Sequence, residues 1–276
     1  MADTRPSIAD KRRAFQQLHE AGCFVIPNPW DVGSARFLQS LGFKALATTS
    51  SGFAWSRGRT DGAVSRDMAL AHLHDIVAAT DLPVNADFES GFALDAAGVA
   101  ESVRLAIETG VAGFSMEDST GDAAKPLYEL GVAVERMRAA RKAIDKAGGD
   151  TLLVGRAECF LVGRPDLEET TRRLKAYAQA GADCLYAPGI RTPDQIRAVV
   201  AGVAPKPFNL LVGSASELTV QDIAALGVRR VSVGGALARS AWGGFMRAAR
   251  LIAEQGKFDG FANAASGHEL NSLFRA

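Results

Sequence analysis

The sequence predicts a single (β/α)8 barrel domain over residues 1–276, and three observations carry that prediction. Short runs rich in β-formers alternate with helical stretches along the chain, the pattern of parallel βαβ units. Each run ends in polar residues or glycine, where a loop begins. No linker, low-complexity tract or charge block divides the alternation, and 276 residues is an ordinary length for such a barrel.

In order, the strand runs are Phe24–Pro27, Ala45–Thr49, Leu82–Asp87, Gly113–Glu117, Leu152–Arg156, Cys184–Ala187, Phe208–Val212 and Val231–Gly234. Gly42, Gly110, Gly181 and Gly227 precede the second, fourth, sixth and eighth runs and suit helix ends. Periodicity leaves a doubly wound open sheet as the alternative. After the eighth run a helical stretch covers about Ser240 to Gln255, and Leu270, Leu273 and Phe274 predict a final short helix. Its apolar side either closes the barrel's own flank or packs on another subunit, and the sequence does not choose between them.

Composition narrows the partners. The 31 basic residues balance 31 acidic ones, so there is no field to attract nucleic acid. The start, Met1-Ala2-Asp3-Thr4-Arg5-Pro6, is unlike a secretory signal, and no apolar run approaches the ~18–20 residues of a membrane span. The expected location is cytoplasmic. Cys23, Cys159 and Cys184 are widely spaced and odd in number, which suits reduced, packed thiols.

In such a barrel the chemistry projects from the carboxyl ends of the strands. Asp31, after Asn28-Pro29-Trp30, suits a helix cap. Ser50, Ser51, Gly52 and Phe53 form a small-residue turn whose N–H groups can converge on a carboxylate or phosphonate oxygen. Asp87 with Glu89, and Glu117 with Asp118, aim carboxylates from neighbouring strands at one mouth. That is costly unless a cation, protons or a salt bridge to Arg156 neutralises them. His19, His72, His74 and His268 fall in predicted helices or the tail, so a hard, oxygen-ligated ion such as Mg²⁺ is expected rather than zinc or iron. Arg156 and Glu158 close the fifth strand, where a guanidinium suits a substrate carboxylate or a developing enolate oxygen. Asn209 faces either the barrel interior or its mouth. Val212-Gly213-Ser214 and Val233-Gly234-Gly235 offer a competing reading as a phosphate cradle.

Taken together, Trp30-Asp31 with Ser34-Ala35, Ser50-Ser51-Gly52, Asp61, Asn85-Ala86-Asp87, Glu117-Asp118, Arg156 and Pro207-Phe208-Asn209 resemble the isocitrate lyase and phosphoenolpyruvate mutase superfamily. The resemblance runs from about Pro27 to the end of the eighth strand. It implies a Mg²⁺- or Mn²⁺-dependent barrel, a homo-oligomer (dimer or tetramer) with an exchanged terminal helix, acting on a small 2-oxo or 2-hydroxy acid. It further implies that Asp87, Glu117 and Asn85 form the metal side, with Asp61 supporting the coordination shell. Trp30, Ser50, Ser51, Gly52, Phe53, Arg156 and Asn209 would meet the substrate, and Arg156, Asp61 and Glu158 would serve catalysis.

Two departures qualify the transfer. Asn85 stands where many members carry aspartate. The segment Ser119–Tyr128 has neither the lyases' Lys-Cys-Gly-His loop nor the asparagine-containing gate of the phosphonate enzymes, although its composition suits a mobile lid. Cys159, Tyr186 and Glu158 are the groups left to supply a proton. The expected activity is a Mg²⁺-dependent C–C lyase of the 2-methylisocitrate lyase or oxaloacetate decarboxylase type. A 2-oxo acid sensor without turnover and a P–C bond enzyme are the alternatives.

Overall fold

The computed structural model describes residues 5–275. Eight strands run parallel in the order β1-β8-β7-β6-β5-β4-β3-β2. They are β1 (Phe24–Ile26), β2 (Leu46–Ala47), β3 (Val84–Asp87), β4 (Gly113–Glu117), β5 (Leu152–Arg156), β6 (Cys184–Tyr186), β7 (Phe208–Leu211) and β8 (Arg230–Ser232). The remaining seam between β1 and β2 is bridged by the Ala47 N–H donating to the Pro27 carbonyl oxygen at 3.0 Å. This nearly closed cylinder settles the choice against an open sheet. Every predicted run contains a strand; the eighth is shifted, beginning at Arg230 and ending at Ser232.

The helices are α1 (Ile8–Leu18), α2 (Val32–Ser40), α3 (Ser50–Ser56), α4 (Arg66–Ala79), α5 (Ala96–Glu108), α6 (Leu130–Lys146), α7 (Leu167–Gln179), α8 (Pro193–Val203), α9 (Val220–Ala225), α10 (Ala236–Gln255) and α11 (Gly267–Leu273). Polar residues set their starts. Asp31 and Ser34 form a reciprocal capping box at α2, and Thr49, Asp95 and Asp166 cap α3, α5 and α7. The main core lies between the outer face of the sheet and the ring of helices, with Val103, Phe114, Leu153, Leu174 and Phe208 all buried in it.

α1 closes the amino-terminal end of the barrel. Phe15 is fully buried there against Ile26, Ala45, Ala47 and Ala112. Lys11 donates to the Thr80 carbonyl oxygen at 2.6 Å, and Arg12 to those of Val111 and Ile107 at 3.0 and 2.9 Å. These cations bond carbonyl groups in the last turn of α5 and in the segments that follow α4 and α5, where a positive charge is favoured by the helix dipole.

α10 differs from the other barrel helices. Over its 20 residues only Ala238 is buried, while Trp242, Phe245, Met246 and Ile252 stand exposed. α11 lies beside α2, where Phe274 approaches Gly33, and Leu270 and Phe274 remain open to solvent. Among the described residues no helix is long and apolar enough to cross a membrane.

Candidate functional site

Strand register brings the charged residues together. Glu117 stands opposite Arg156 on β5, Arg156 opposite Tyr186 on β6, and Asp87 opposite Ser115 on β4. Arg156 is the hub. Its Nη1 lies 3.3 Å from Asp87 Oδ1 and 3.1 Å from Glu117 Oε2, and its Nε donates to Glu158 Oε1 at 2.5 Å. Its guanidinium rests over the Tyr186 ring, 5.1 Å from the centroid. The other oxygen of Asp87 accepts from both the N–H and the hydroxyl of Ser50 at 2.9 Å each, and the Asp87 N–H donates to Thr48 Oγ1 at 2.9 Å.

One guanidinium thus serves three carboxylates, and Glu89 and Asp61 add to the excess. Burial pushes Glu117 well above the usual carboxylate range, and Arg156 only partly opposes it. Burial, followed by the charges of Asp87 and Asp61, pushes Glu89 up to about 7. Asp61 is raised for the same two leading reasons, burial and Asp87. Burial works against the charge on Arg156, but Glu117 and Glu158 outweigh it and hold the group protonated. Glu89 also carries a left-handed backbone (φ 46°), a strained conformation for a side-chain-bearing residue.

A cavity of about 170 Å³ opens beside this hub, bordered by Ser51, Asp61, Asp87, Arg156, Tyr186 and Arg230. Asn28 ties its rim together, accepting from the N–H groups of Val233 and Gly234 at 2.9 Å each and donating to the Thr48 carbonyl oxygen at 2.9 Å. A second cavity, of about 290 Å³, lies between the loops after β7 and β8 and shares Leu161, Leu211, Gly234 and Gly235 with the first. Both glycine segments of the cradle reading line it.

Several expected residues stand elsewhere or are otherwise engaged. Asp118 does not face the mouth: side chains alternate along a strand, so it points away from Glu117 toward α7. There it accepts from Tyr177 at 2.5 Å, from Arg173 at 3.0 Å and from the Glu158 N–H at 2.8 Å. Ser50–Phe53 is not an open turn but the first turn of α3. The Ser50 N–H is held by Asp87, that of Gly52 by the Thr49 hydroxyl at 3.3 Å, and that of Phe53 by the Thr49 carbonyl oxygen at 3.0 Å. Gly52 is needed for packing, since a Cβ there would lie 2.6 Å from Thr49 Cγ2 and 3.0 Å from Trp30 Cβ. Phe53 stacks on His72 with ring centroids 3.9 Å apart.

Asn85 borders the cavity with its amide engaged by Arg230, whereas Asn209 lies behind Arg230 and does not border it. Asn85 Oδ1 accepts from Arg230 Nη1 at 3.3 Å; Asn209 is fully buried and accepts from Arg230 Nε at 2.7 Å. Glu158 is 4 % exposed and holds Arg156 rather than bordering the cavity. Cys159 is buried near Thr170, on the α7 side, so of the three proton-donor candidates Tyr186 alone borders the cavity. The segment expected as a mobile lid is bonded to itself: Ser119 bridges Leu127, and Thr120 Oγ1 donates to the Lys125 carbonyl oxygen at 2.5 Å. Thr48 and Arg230 went unforeseen. Inward alternation from Ser232 back to residue 230 was the available signal for the arginine.

Among the described residues no group of three or more His, Cys, Asp or Glu side chains is arranged to hold a metal. The donor set nevertheless suits a hard, hydrated ion. Asp87 and Glu117 offer carboxylate oxygens to one point, now taken by Arg156 Nη1, and Mg²⁺ characteristically uses one or two carboxylates and keeps its remaining waters.

Comparison with known proteins identifies the family. The phosphoenolpyruvate phosphomutase family model matches residues 15–253. An oxaloacetate decarboxylase of Paraburkholderia xenovorans is 29% identical over 229 residues, covering 80% of this chain and 74% of that protein. A 2-methylisocitrate lyase of Halalkalibacterium halodurans is 27% identical over 206 residues, covering 73% and 66%. A crystal structure of a candidate lyase/mutase from Burkholderia cenocepacia superposes with a TM-score of 0.94 at 48% identity, covering 98% of each chain. The matched span includes every strand of the barrel and every residue of the Arg156 hub, and on these grounds the chain belongs to the phosphoenolpyruvate mutase family, within the isocitrate lyase/phosphoenolpyruvate mutase superfamily.

Proposed function

We propose that this chain is a divalent-cation-dependent lyase, using Mg²⁺ or Mn²⁺, that cleaves a C–C bond in a small 2-oxo or 2-hydroxy acid carrying two or more carboxylates. Decarboxylation of oxaloacetate and cleavage of a 2-methylisocitrate-type acid are its two leading forms. The observation that supports this most is the excess of carboxylates about Arg156, an arrangement that a cation and an anionic substrate together would complete.

In this reading Asp87 and Glu117 hold the cation, partly through water, and Asp61 supports them from the rim. When bound, the cation supplies fixed positive charge beside the 2-oxo oxygen, which stabilises enolate charge more in the transition state than in the ground state. Arg156, released from Asp87 and Glu117, turns its donors to the substrate carboxylate. Glu158 keeps that guanidinium in place, and Ser50 fixes the orientation of Asp87. Tyr186, which borders the cavity, is the proton donor in this reading; burial pushes its phenol up to about 12, so it gives its proton only to a strong base such as an enolate carbon. The exposed aromatic residues of α10, with α11, form the contact to a second copy of the chain, with α11 exchanged between copies.

The test is turnover of purified protein against oxaloacetate, 2-methylisocitrate and phosphonopyruvate, with and without chelator. Release of pyruvate from one of the first two, abolished by chelator and restored by Mg²⁺, is the expected result. Turnover indifferent to chelator rejects the reading, and tight binding without turnover across the panel makes the chain a sensor.

A further inference from the structure

Arg230 is 2 % exposed and sits inside the barrel, yet among the described residues no carboxylate lies within salt-bridge distance of it. Every partner it has is neutral. Nε donates to Asn209 Oδ1 at 2.7 Å, and Nη1 reaches Asn85 Oδ1 at 3.3 Å and His19 Nε2 at 3.4 Å. His19 is the neutral tautomer that can receive this contact, since its Nδ1 lies 2.8 Å from the Phe15 carbonyl oxygen and must carry the hydrogen there. Asn209 is itself pinned, donating to Ser232 Oγ at 2.9 Å. The guanidinium is therefore held rigidly by groups that orient it without cancelling its charge.

A permanently charged group is costly to bury uncompensated, and the usual resolution is an anion. Nη2 makes no hydrogen bond among the described residues and is not among the side-chain atoms sealed from solvent. Arg230 borders the same cavity as Asp87 and Arg156. That cavity therefore presents two guanidinium groups: Arg156 at the mouth, already crowded by carboxylates, and Arg230 below it, with none.

We propose that Arg230 is a specificity-determining residue that takes the second carboxylate of a dicarboxylic substrate through Nη2, so that the chain selects dianionic over monoanionic acids. This rests on the lyase reading of the same cavity and adds to it which charge pattern the substrate must carry. Asn85 and Asn209 then act as positioning residues for Arg230.

Calorimetry of the full chain with Mg²⁺ tests this, using malonate and succinate against acetate and propionate. Wild type is expected to bind the dicarboxylates about 10-fold more tightly or better, the range of a charge-assisted hydrogen bond. Arg230→Met should bring that ratio close to one while leaving monocarboxylate affinity within about 2-fold. A variant that keeps the ratio, or a wild type that binds both classes equally, overturns the assignment while leaving the lyase reading intact. A wild type that binds no carboxylate overturns both. Should Arg230→Met fail to fold, a crystal structure of wild type with malonate decides: a carboxylate on Arg230 Nη2 supports the proposal, and both carboxylates held at Arg156 and the rim overturn it.

Discussion

Glu117 and Asp118 are adjacent in sequence and enter opposite kinds of environment. Asp118 is 2 % exposed, and its oxygens are met by Arg173, Tyr177 and the Glu158 N–H. Burial, then the charge of Asp118, pushes the Tyr177 phenol far above its usual range, so it remains a donor. The acceptors and donors match, and nothing is left over for a ligand. Glu117 shares one guanidinium with Asp87 and Glu158, and burial raises it well above the ordinary carboxylate range. Balanced buried charge holds α7 against the barrel; the unbalanced buried charge about Arg156 is what the proposed cation and substrate would complete.

The sharpest test of that contrast is a pair of isosteric changes. Glu117→Gln is expected to lower kcat/KM on the productive acid by on the order of 10³-fold with the melting temperature unchanged or raised. Asp118→Asn should do the reverse. Breaking one partner of a buried, bonded group costs about 3 kcal/mol or more of stability, read in urea unfolding, while kcat of the folded fraction changes little. Equal activity losses in both variants would erase the distinction between the two clusters.

Ion binding gives a smaller but cleaner signal. At a Mg²⁺ concentration of about 100 Kd the wild type should gain roughly 2.7 kcal/mol in stability, and Glu117→Gln should lose most of that gain while Asp118→Asn keeps it. Thermal unfolding with and without chelator reads the difference.

The smallest expected effect is a pH dependence. Glu89 is pushed up to about 7 from an ordinary 4.5, so the folded chain binds this proton more tightly than the unfolded one. Its contribution to the stability of the ion-free protein is complete below 4.5 and is lost as pH rises through about 7. Glu89→Gln should flatten that decline, a change of about 1 kcal/mol across the interval given the residue's partial exposure. A decline of the same size in the variant assigns it to another group.

Much of the barrel was legible because its strands are short β-rich runs bounded by glycine and polar residues, a local signal. Asp87, Glu117 and Arg156 were legible because each ends a strand, and strand ends share one rim. Asp118 was misplaced because residue adjacency was read as shared direction, whereas strand alternation separates neighbours. The Ser50–Phe53 grip was drawn without knowing that Thr49 caps a helix there and takes two of its N–H groups. Arg230 was missed because its function depends on what does not surround it, and no local pattern records the absence of a carboxylate.

α1 lies across the far end of the cylinder, with Phe15 filling the axis and Lys11 and Arg12 fastening it to neighbouring helices. With that end stoppered, the cavity beside Arg156 and Arg230 faces the loops at the carboxyl ends of the strands, and those loops, not the barrel floor, govern access to it.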